Sequence, residues 1–185
     1  MLLGLVLYGV AIAFEVRARL GLDPSDVLHQ GLARRTGIAI GTWVIVVGGA
    51  VLVLWIPLRE RPGIGTVCNV IVIGVVLNVM VAHLATPGSI AGRSAYLVLG
   101  ILLTGIATGA YIGAGLGAGP RDGLMLGLSR RGHSIRVVRT VMELTVLLVG
   151  FLLGGQVGVG TVAFALAIGP IAHVTIPFFS RSTST

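Results

Sequence analysis

The sequence predicts an all-α membrane protein with six transmembrane helices, arranged as two inverted three-helix repeats that each carry a short amphipathic or re-entrant helix. The first observation is composition: 55% of the 185 residues are hydrophobic, only 10% are charged and the mean hydropathy is +1.03. A soluble domain carries about 25% charged residues. The second is length, because apolar stretches of about 20 residues recur and that length crosses a hydrocarbon core. The third is a polar segment that occurs twice.

Six apolar stretches are the expected spans, at about 2–19, 38–57, 64–83, 94–115, 135–154 and 159–178. They form one membrane domain over residues 1–185, with a first repeat at 1–84, a second repeat at 94–180 and a short polar tail at 181–185. The N-terminal stretch has neither a basic leader nor a small-residue cleavage site. We therefore expect a first span there rather than a cleaved signal peptide.

The repeat is visible in three ordered matches. GLDPSDVLHQGLARR at 21–35 is identical to GAGPRDGLMLGLSRR at 117–131 in eight of fifteen positions. GIGTVCNVIVIG at 63–74 is identical to GVGTVAFALAIG at 158–169 in six of twelve positions, and 9–21 matches 105–117 more weakly. Because each copy holds three spans, an odd number, the second copy must enter the membrane from the opposite side. Inverted repeats of this kind are common among secondary transporters, whose substrate sites lie near the membrane midplane.

Each copy of the polar segment, at 21–35 and 117–131, is predicted to form a short helix. Pro24 and Pro120 suit the first helical position, because proline has no amide hydrogen to leave unpaired. The residue before each proline is then the N-cap. Asp26 and Asp122 fall in the first turn, where the positive end of the helix dipole favours a carboxylate.

Two roles are open for these short helices. They are either capped helices that lie on the two membrane surfaces, or re-entrant or pore-lining half-helices whose N-termini offer a site for a polar or anionic group. The copies are not equivalent, because His29 in the first is replaced by Met125 in the second.

The fifth span carries the most informative charges. Arg139 and Glu143 are four residues apart and share a helix face, so we expect them to pair. Charged groups inside a membrane face a partner or a wet cavity. The pair is therefore either a structural lock between helices or part of substrate or proton handling. In a dry cavity Glu143 would carry a proton.

Other polar residues of the predicted spans could have either a structural or a functional role. Asn69 is expected to make an interhelical hydrogen bond, and His173 is either a packing residue or part of a proton relay. Glu15 is expected at the interfacial end of the first span. The candidates for substrate binding or proton coupling are Glu143, Arg139, Arg136, Asn69, Asp26, Asp122, His29 and His173.

Charge and motif content argue against other classes of function. The net charge is +7 and all thirteen basic residues are arginines, mostly in short loops, which is typical of membrane anchoring rather than nucleic-acid binding. In the predicted topology, seven of these arginines lie on one side of the membrane and five on the other. This excess favours a cytoplasmic location for both termini. Catalytic motifs such as H-E-x-x-H are not found, so we predict no enzyme, no metal and no cofactor. Cys68 is expected to be a packed thiol.

Several segments resemble a known family, namely DVLHQGLARRTG, IPLRERPGIGT, GPRDGLMLGLSRRG, RVVRTVMELTVLLVG and GGQVGVGT. They are similar to the bacterial YczE/YyaS/AitB-like integral membrane proteins, which are distantly similar to the YitT-type membrane proteins. The resemblance implies a protein of the bacterial cytoplasmic membrane. It also implies small-molecule or antibiotic export, or an accessory part in lipopeptide production or competence.

The expected function is therefore that of a small secondary-type transporter or exporter of an amphipathic small molecule. The alternative is a non-transporting accessory or scaffold protein that supports another membrane component. The expected partners are the lipid bilayer, a small-molecule substrate and a second copy of the chain in a homodimer, because six short spans enclose little volume alone. No nucleic-acid partner is expected.

Overall fold

The computed structural model describes residues 1–115, 117 and 119–181; the predicted polar tail falls outside them apart from the backbone of Arg181. All regular secondary structure in these residues is helical. The segments are α1 Leu2–Ala18, α2 Pro24–Thr36, α3 Ile40–Val53, α4 Trp55–Leu58, α5 Ile64–His83, α6 Ile90–Ile112, α7 Pro120–Ser129, α8 Ile135–Leu152 and α9 Val159–Arg181.

Within the described residues, four helical stretches are long and apolar enough to cross a membrane: Ile40–Leu58, which joins α3 and α4, Ile64–His83, Ile90–Ile112 and Val159–Ser180. A helix of about 20 residues is roughly 30 Å long, which matches the hydrocarbon core. The chain is thus an all-helical membrane protein. Of the other two predicted spans, α1 is only 17 residues long, and α8 has 18 residues that include Arg136, Arg139 and Glu143.

Helix α1 packs along two neighbouring helices. It packs against α5 and α6, and α6 packs in turn against α9. Small residues allow these close contacts: a Cβ at Gly4 would lie 3.1 Å from that of Ala110, and one at Gly100 would lie 2.5 Å from Cγ of Glu15. The residues buried between α1 and its neighbours include Leu5, Ile12, Ala13, Ile73, Leu77 and Tyr111.

The short helix α2 has an interior position. It packs against α8 and α3 and buries Asp26, Val27, His29, Gln30 and Gly31. Helix α7 packs against α3, α4 and α8. The first two turns of α2 are therefore inside the bundle, and only its C-terminal end reaches the exterior.

The C-terminal ends of the two short helices lie near opposite ends of α8. Nη1 of Arg34, in the last turn of α2, donates a hydrogen bond of 2.6 Å to the carbonyl of Gly154, just beyond the end of α8. Helix α7 ends at Ser129, six residues before α8 begins. There Nη1 of Arg130 contacts the Glu60 carboxylate at 2.8 Å. About 27 Å of helix separates the two ends of α8.

Each half of the chain also packs a loop against the other half. Gly21 has a positive φ of 115°, and a Cβ there would lie 2.7 Å from Oγ1 of Thr161, at the start of α9. Gly117 has a φ of 126°, and a Cβ there would lie 2.7 Å from Oγ1 of Thr66, at the start of α5. Both loops need glycine for conformation and for space. Gly21 aligns with Gly117, and Thr161 aligns with Thr66, so the same contact is made once from each repeat.

Candidate functional site

The N-terminal ends of α2 and α7 meet inside the protein. Asp23 caps α2, since its Oδ1 accepts hydrogen bonds from the backbone N–H groups of Ser25 at 2.5 Å and Asp26 at 3.2 Å. Nη1 of Arg121, from the first turn of α7, donates to Oγ of Ser25 at 2.6 Å and lies 3.6 Å from Oδ2 of Asp23. An ion pair and a hydrogen bond therefore join the two short helices.

The two first-turn aspartates have different partners. Nδ1 of His29 donates to Oδ1 of Asp26 at 3.0 Å, and both side chains are about nine-tenths buried. Asp122 accepts a hydrogen bond at Oδ2 from the hydroxyl of Tyr111 at 3.0 Å. The Tyr111 ring meets the ring of Tyr8 edge to face, with centroids 6.1 Å apart. One aspartate thus faces an imidazole and the other faces a phenol.

A cavity of about 380 Å³ lies between α6, α7, α8 and α9, and we call it the polar cavity. Nε of Arg139 donates to Oε1 of Glu143 at 2.9 Å, and both residues line this cavity, as does His173. The predicted pair therefore forms, and it faces a cavity rather than a packed helix contact. Apolar residues of α9, such as Ile168 and Ile176, also line this cavity.

A second cavity of about 170 Å³ lies between α2, α3, α5 and α8, and we call it the apolar cavity. Aliphatic side chains form its walls, namely Val44, Val47, Val51, Val70, Ile73 and Val146. Its polar end holds Asp26, His29, Asn69 and Asp122.

One group of side chains separates the two cavities and lines both of them. This group, which we call the central cluster, consists of Tyr8, Asp23, Tyr111, Arg121 and Asp122. It comes from α1, the loop before α2, α6 and α7. A molecule in either cavity would touch the same charged and aromatic groups.

Seven of the eight residues selected from the sequence line one of these cavities; the eighth, Arg136, is exposed on α8 and lines neither. Sequence reasoning missed Arg121, Tyr8 and Tyr111 and gave Asp23 only a capping role. The repeat alignment held a signal for Arg121, because it places this arginine opposite Ser25.

Glu15 does not lie at an exposed interfacial end of α1, as its neighbouring arginines had suggested. It is 1% exposed, and its Oε1 accepts a hydrogen bond from Oγ1 of Thr104 at 3.0 Å. Gly100, one turn away on α6, makes room for its side chain. In the described residues its Oε2 has no hydrogen-bond partner. The burial depends on small and polar residues of α6 that the sequence around Glu15 does not reveal.

Metal-binding groups are not found in the part of the chain that the structure describes: no three His, Cys, Asp or Glu side chains converge as metal ligands would. Cys68 is a free, partly buried thiol.

Comparison with known proteins identifies close relatives. A family model described as a family of unknown function (DUF6198) matches residues 1–177. An uncharacterized protein of Haemophilus influenzae is 42% identical over 182 residues, which cover 98% of this chain and 84% of the relative. The uncharacterized membrane protein YczE of Bacillus subtilis is 36% identical over 173 residues, covering 92% of this chain and 80% of the relative.

A third relative is more distant. The uncharacterized protein YyaS of Bacillus subtilis is 24% identical over 186 aligned positions, which cover 97% of this chain and 92% of the relative. These matches confirm the resemblance to YczE and YyaS that the sequence motifs indicated. No solved structure matches the chain.

Proposed function

The chain belongs to DUF6198, a family of unknown function, and we propose that it is a small secondary-type transporter that exports an amphipathic small molecule. One observation carries the proposal: a single central cluster of charged and aromatic side chains lines two separate cavities. A transporter needs a binding site that can be reached from two directions, at the interface between its repeats.

The proposed topology has six crossing helices, α1, α3 with α4, α5, α6, α8 and α9, in two inverted repeats. Helices α2 and α7 are then half-helices whose N-termini meet at the centre and whose C-termini reach opposite faces. Three observations support this arrangement. The two glycine loops make equivalent contacts with the opposite half, and the aligned residues Ser25 and Arg121 touch each other. The C-terminal ends of α2 and α7 lie near opposite ends of α8.

The difference between the two halves supports alternating access. In the first half α3 packs against α5, where Asn78 accepts a hydrogen bond from the Gly41 amide at 2.7 Å and donates one to Thr42 at 3.1 Å. In the second half the aligned helices α8 and α9 flank the polar cavity. There His173 takes the place of Asn78 and lines the cavity instead of closing it. The helix pair α3 and α5 is therefore packed together, whereas the aligned pair α8 and α9 lies on two sides of a cavity.

The amphipathic character of the substrate follows from the walls of the two cavities. Charged groups lie at the centre, and aliphatic side chains lie on both sides of them. Location in the cytoplasmic membrane with both termini cytoplasmic belongs to the same proposal, and the uneven distribution of arginines between the two faces supports it.

The test is transport by the purified full-length chain in liposomes. Three radiolabelled single-ring probes of different charge are suitable: benzyltrimethylammonium, which is cationic, phenylacetate, which is anionic, and phenyl glucoside, which is neutral. At least one should cross faster than in empty liposomes. Glu143→Gln, which removes a charge from the polar cavity, should abolish that flux.

The matched control is Glu60→Gln. Glu60 also pairs with an arginine, but it lies in a loop and lines neither the polar nor the apolar cavity. Its flux should stay within about twofold of the wild type. If wild-type protein carries none of the three probes and instead co-purifies with another membrane component, the accessory or scaffold function replaces transport.

A further inference from the structure

We propose that Asp122 binds the positively charged head of a small organic cation, beside the rings of Tyr8 and Tyr111, and that the apolar cavity holds the rest of that molecule. This inference rests on the proposed function in one respect: it names the class of substrate that the transporter carries. As a binding site, it is testable without transport.

The acidic residues of the chain are few, and most are already paired. There are six. Within the described residues, four of them have a basic partner within 4.0 Å, namely Asp23, Asp26, Glu60 and Glu143. The remaining two are Glu15 and Asp122. Glu15 is 1% exposed and lines neither cavity, whereas Asp122 lines both. Asp122 is therefore the carboxylate that a ligand can reach without displacing a basic side chain.

The duplication shows how this difference arose. Asp26 and Asp122 are aligned, and so are His29 and Met125, three residues further along. In the first repeat the imidazole of His29 makes a hydrogen bond to the Asp26 carboxylate. In the second repeat a thioether stands at that position and cannot donate a hydrogen bond to the carboxylate. Asp122 keeps one phenol donor, from Tyr111, and retains acceptor capacity.

Arg121 does not cancel the charge of Asp122 by direct contact. Its Nη1 is directed to Ser25 and Asp23 on the other short helix, and the described residues show no ion pair between Arg121 and Asp122. Arg121 thus balances the charge of Asp23, the N-cap residue of α2. Asp23, Arg121 and Asp122 together leave one negative charge in the central cluster.

The neighbours of Asp122 favour an ammonium head. The edge-to-face rings of Tyr8 and Tyr111 line both cavities. Aromatic faces attract cations, and this attraction is strongest where water is excluded. A carboxylate next to two phenol rings suits a quaternary or tertiary amine better than an anion or a neutral alcohol.

The size of the apolar cavity limits the ligand. Its volume of about 170 Å³ is that of about six water molecules at roughly 30 Å³ each. Valine and isoleucine side chains form the walls away from Asp122. A single aromatic ring or a short alkyl chain on an ammonium group fits this volume, whereas a large multi-ring compound does not.

The test is a calorimetric titration of the full chain in a non-ionic detergent. The probes are benzyltrimethylammonium, phenylacetate as its anionic counterpart and benzyl alcohol as its neutral counterpart. Wild-type protein should bind the cation at least tenfold more tightly than either of the others. Asp122→Asn should weaken cation binding at least tenfold. Glu60→Gln, which also removes a paired carboxylate but lies outside both cavities, should change it less than threefold.

A second variant keeps the test decisive if Asp122→Asn does not fold. Met125→His places an imidazole beside Asp122, as His29 is placed beside Asp26, and should weaken cation binding several-fold while the carboxylate remains. The inference is overturned if phenylacetate binds as tightly as the cation, or if either folded variant binds the cation with unchanged affinity.

The liposome experiment separates the failure of this inference from the failure of the proposed function. Cation binding that depends on Asp122, with no flux of any probe, supports the site and contradicts transport. Flux of phenylacetate without flux of benzyltrimethylammonium supports transport and contradicts the cation site.

Discussion

Nη1 of Arg121 donates a hydrogen bond of 2.6 Å to Oγ of Ser25, and these two residues occupy the same position of the two sequence repeats. Two counterparts in a duplicated chain can touch only near the axis that relates the copies. In the proposed inverted arrangement, that axis would pass between the N-terminal turns of α2 and α7. The central cluster lies at the same point, which is where the substrate sites of inverted-repeat transporters are found.

Loss of the Arg121 guanidinium should destabilise the protein. Arg121→Met keeps the apolar stem but leaves Asp23, which is 5% exposed, without its basic partner. A buried group that loses its partner costs about 1–3 kcal/mol. The midpoint of thermal unfolding in detergent should fall. Arg136→Met should leave it nearly unchanged, because Arg136 is exposed and lines neither the polar nor the apolar cavity. Equal midpoints for the two variants would show that the contact with Ser25 and Asp23 does not join the short helices.

The proposed topology predicts that the two short helices end on opposite sides of the membrane. Arg35→Cys and Arg131→Cys change aligned, exposed residues at the C-terminal ends of α2 and α7. In a Cys68→Ala background, a membrane-impermeant maleimide should label one variant from outside oriented vesicles and the other only after the vesicles are opened. Labelling of both from the same side would exclude the inverted arrangement.

The sequence allowed much of the local structure to be predicted. The prolines, Asp23 and Gly119 stand at the predicted starts of α2 and α7, because capping depends on residues within one turn. The family resemblance also followed from local motifs. The predicted ion pair of Arg139 and Glu143 formed because the two lie on one helix face.

Features that depend on distant contacts could not be predicted. Glu15 is buried because Gly100 and Thr104 of α6 face it, and the segment around Glu15 carries no sign of either. The different partners of Asp26 and Asp122 could be predicted only in part, from the exchange of His29 for Met125. The hydrogen bond from the hydroxyl of Tyr111 to Asp122 could not, because Tyr111 lies on a helix whose position only the fold determines.

Aligned glycines of α5 and α9 should respond differently to alanine. A Cβ at Gly74 would lie 2.5 Å from Cγ1 of Ile45 and would also strike the Gly41 carbonyl, whereas one at Gly169 would meet nothing within 4 Å. Overpacking costs about 1–3 kcal/mol, so Gly74→Ala should lower the midpoint of thermal unfolding. Gly169→Ala should leave it unchanged or raise it, because alanine is the better helix former by about 1 kcal/mol. A large loss of stability in Gly169→Ala would mean that α8 and α9 pack as closely as α3 and α5.

Thr104 should matter more to stability than Thr108, although both are threonines of α6. Oγ1 of Thr104 donates to the buried Glu15 carboxylate at 3.0 Å, while Oγ1 of Thr108 donates at 2.7 Å to the carbonyl of Thr104 within its own helix. Thr104→Val removes the hydrogen bond to a group that is 1% exposed, and such a loss costs about 1–3 kcal/mol. Thr108→Val removes a local bond of a kind that slightly destabilises helices. Thermal unfolding in detergent should show a lower midpoint for Thr104→Val alone, and the reverse order would mean that Glu15 does not depend on α6.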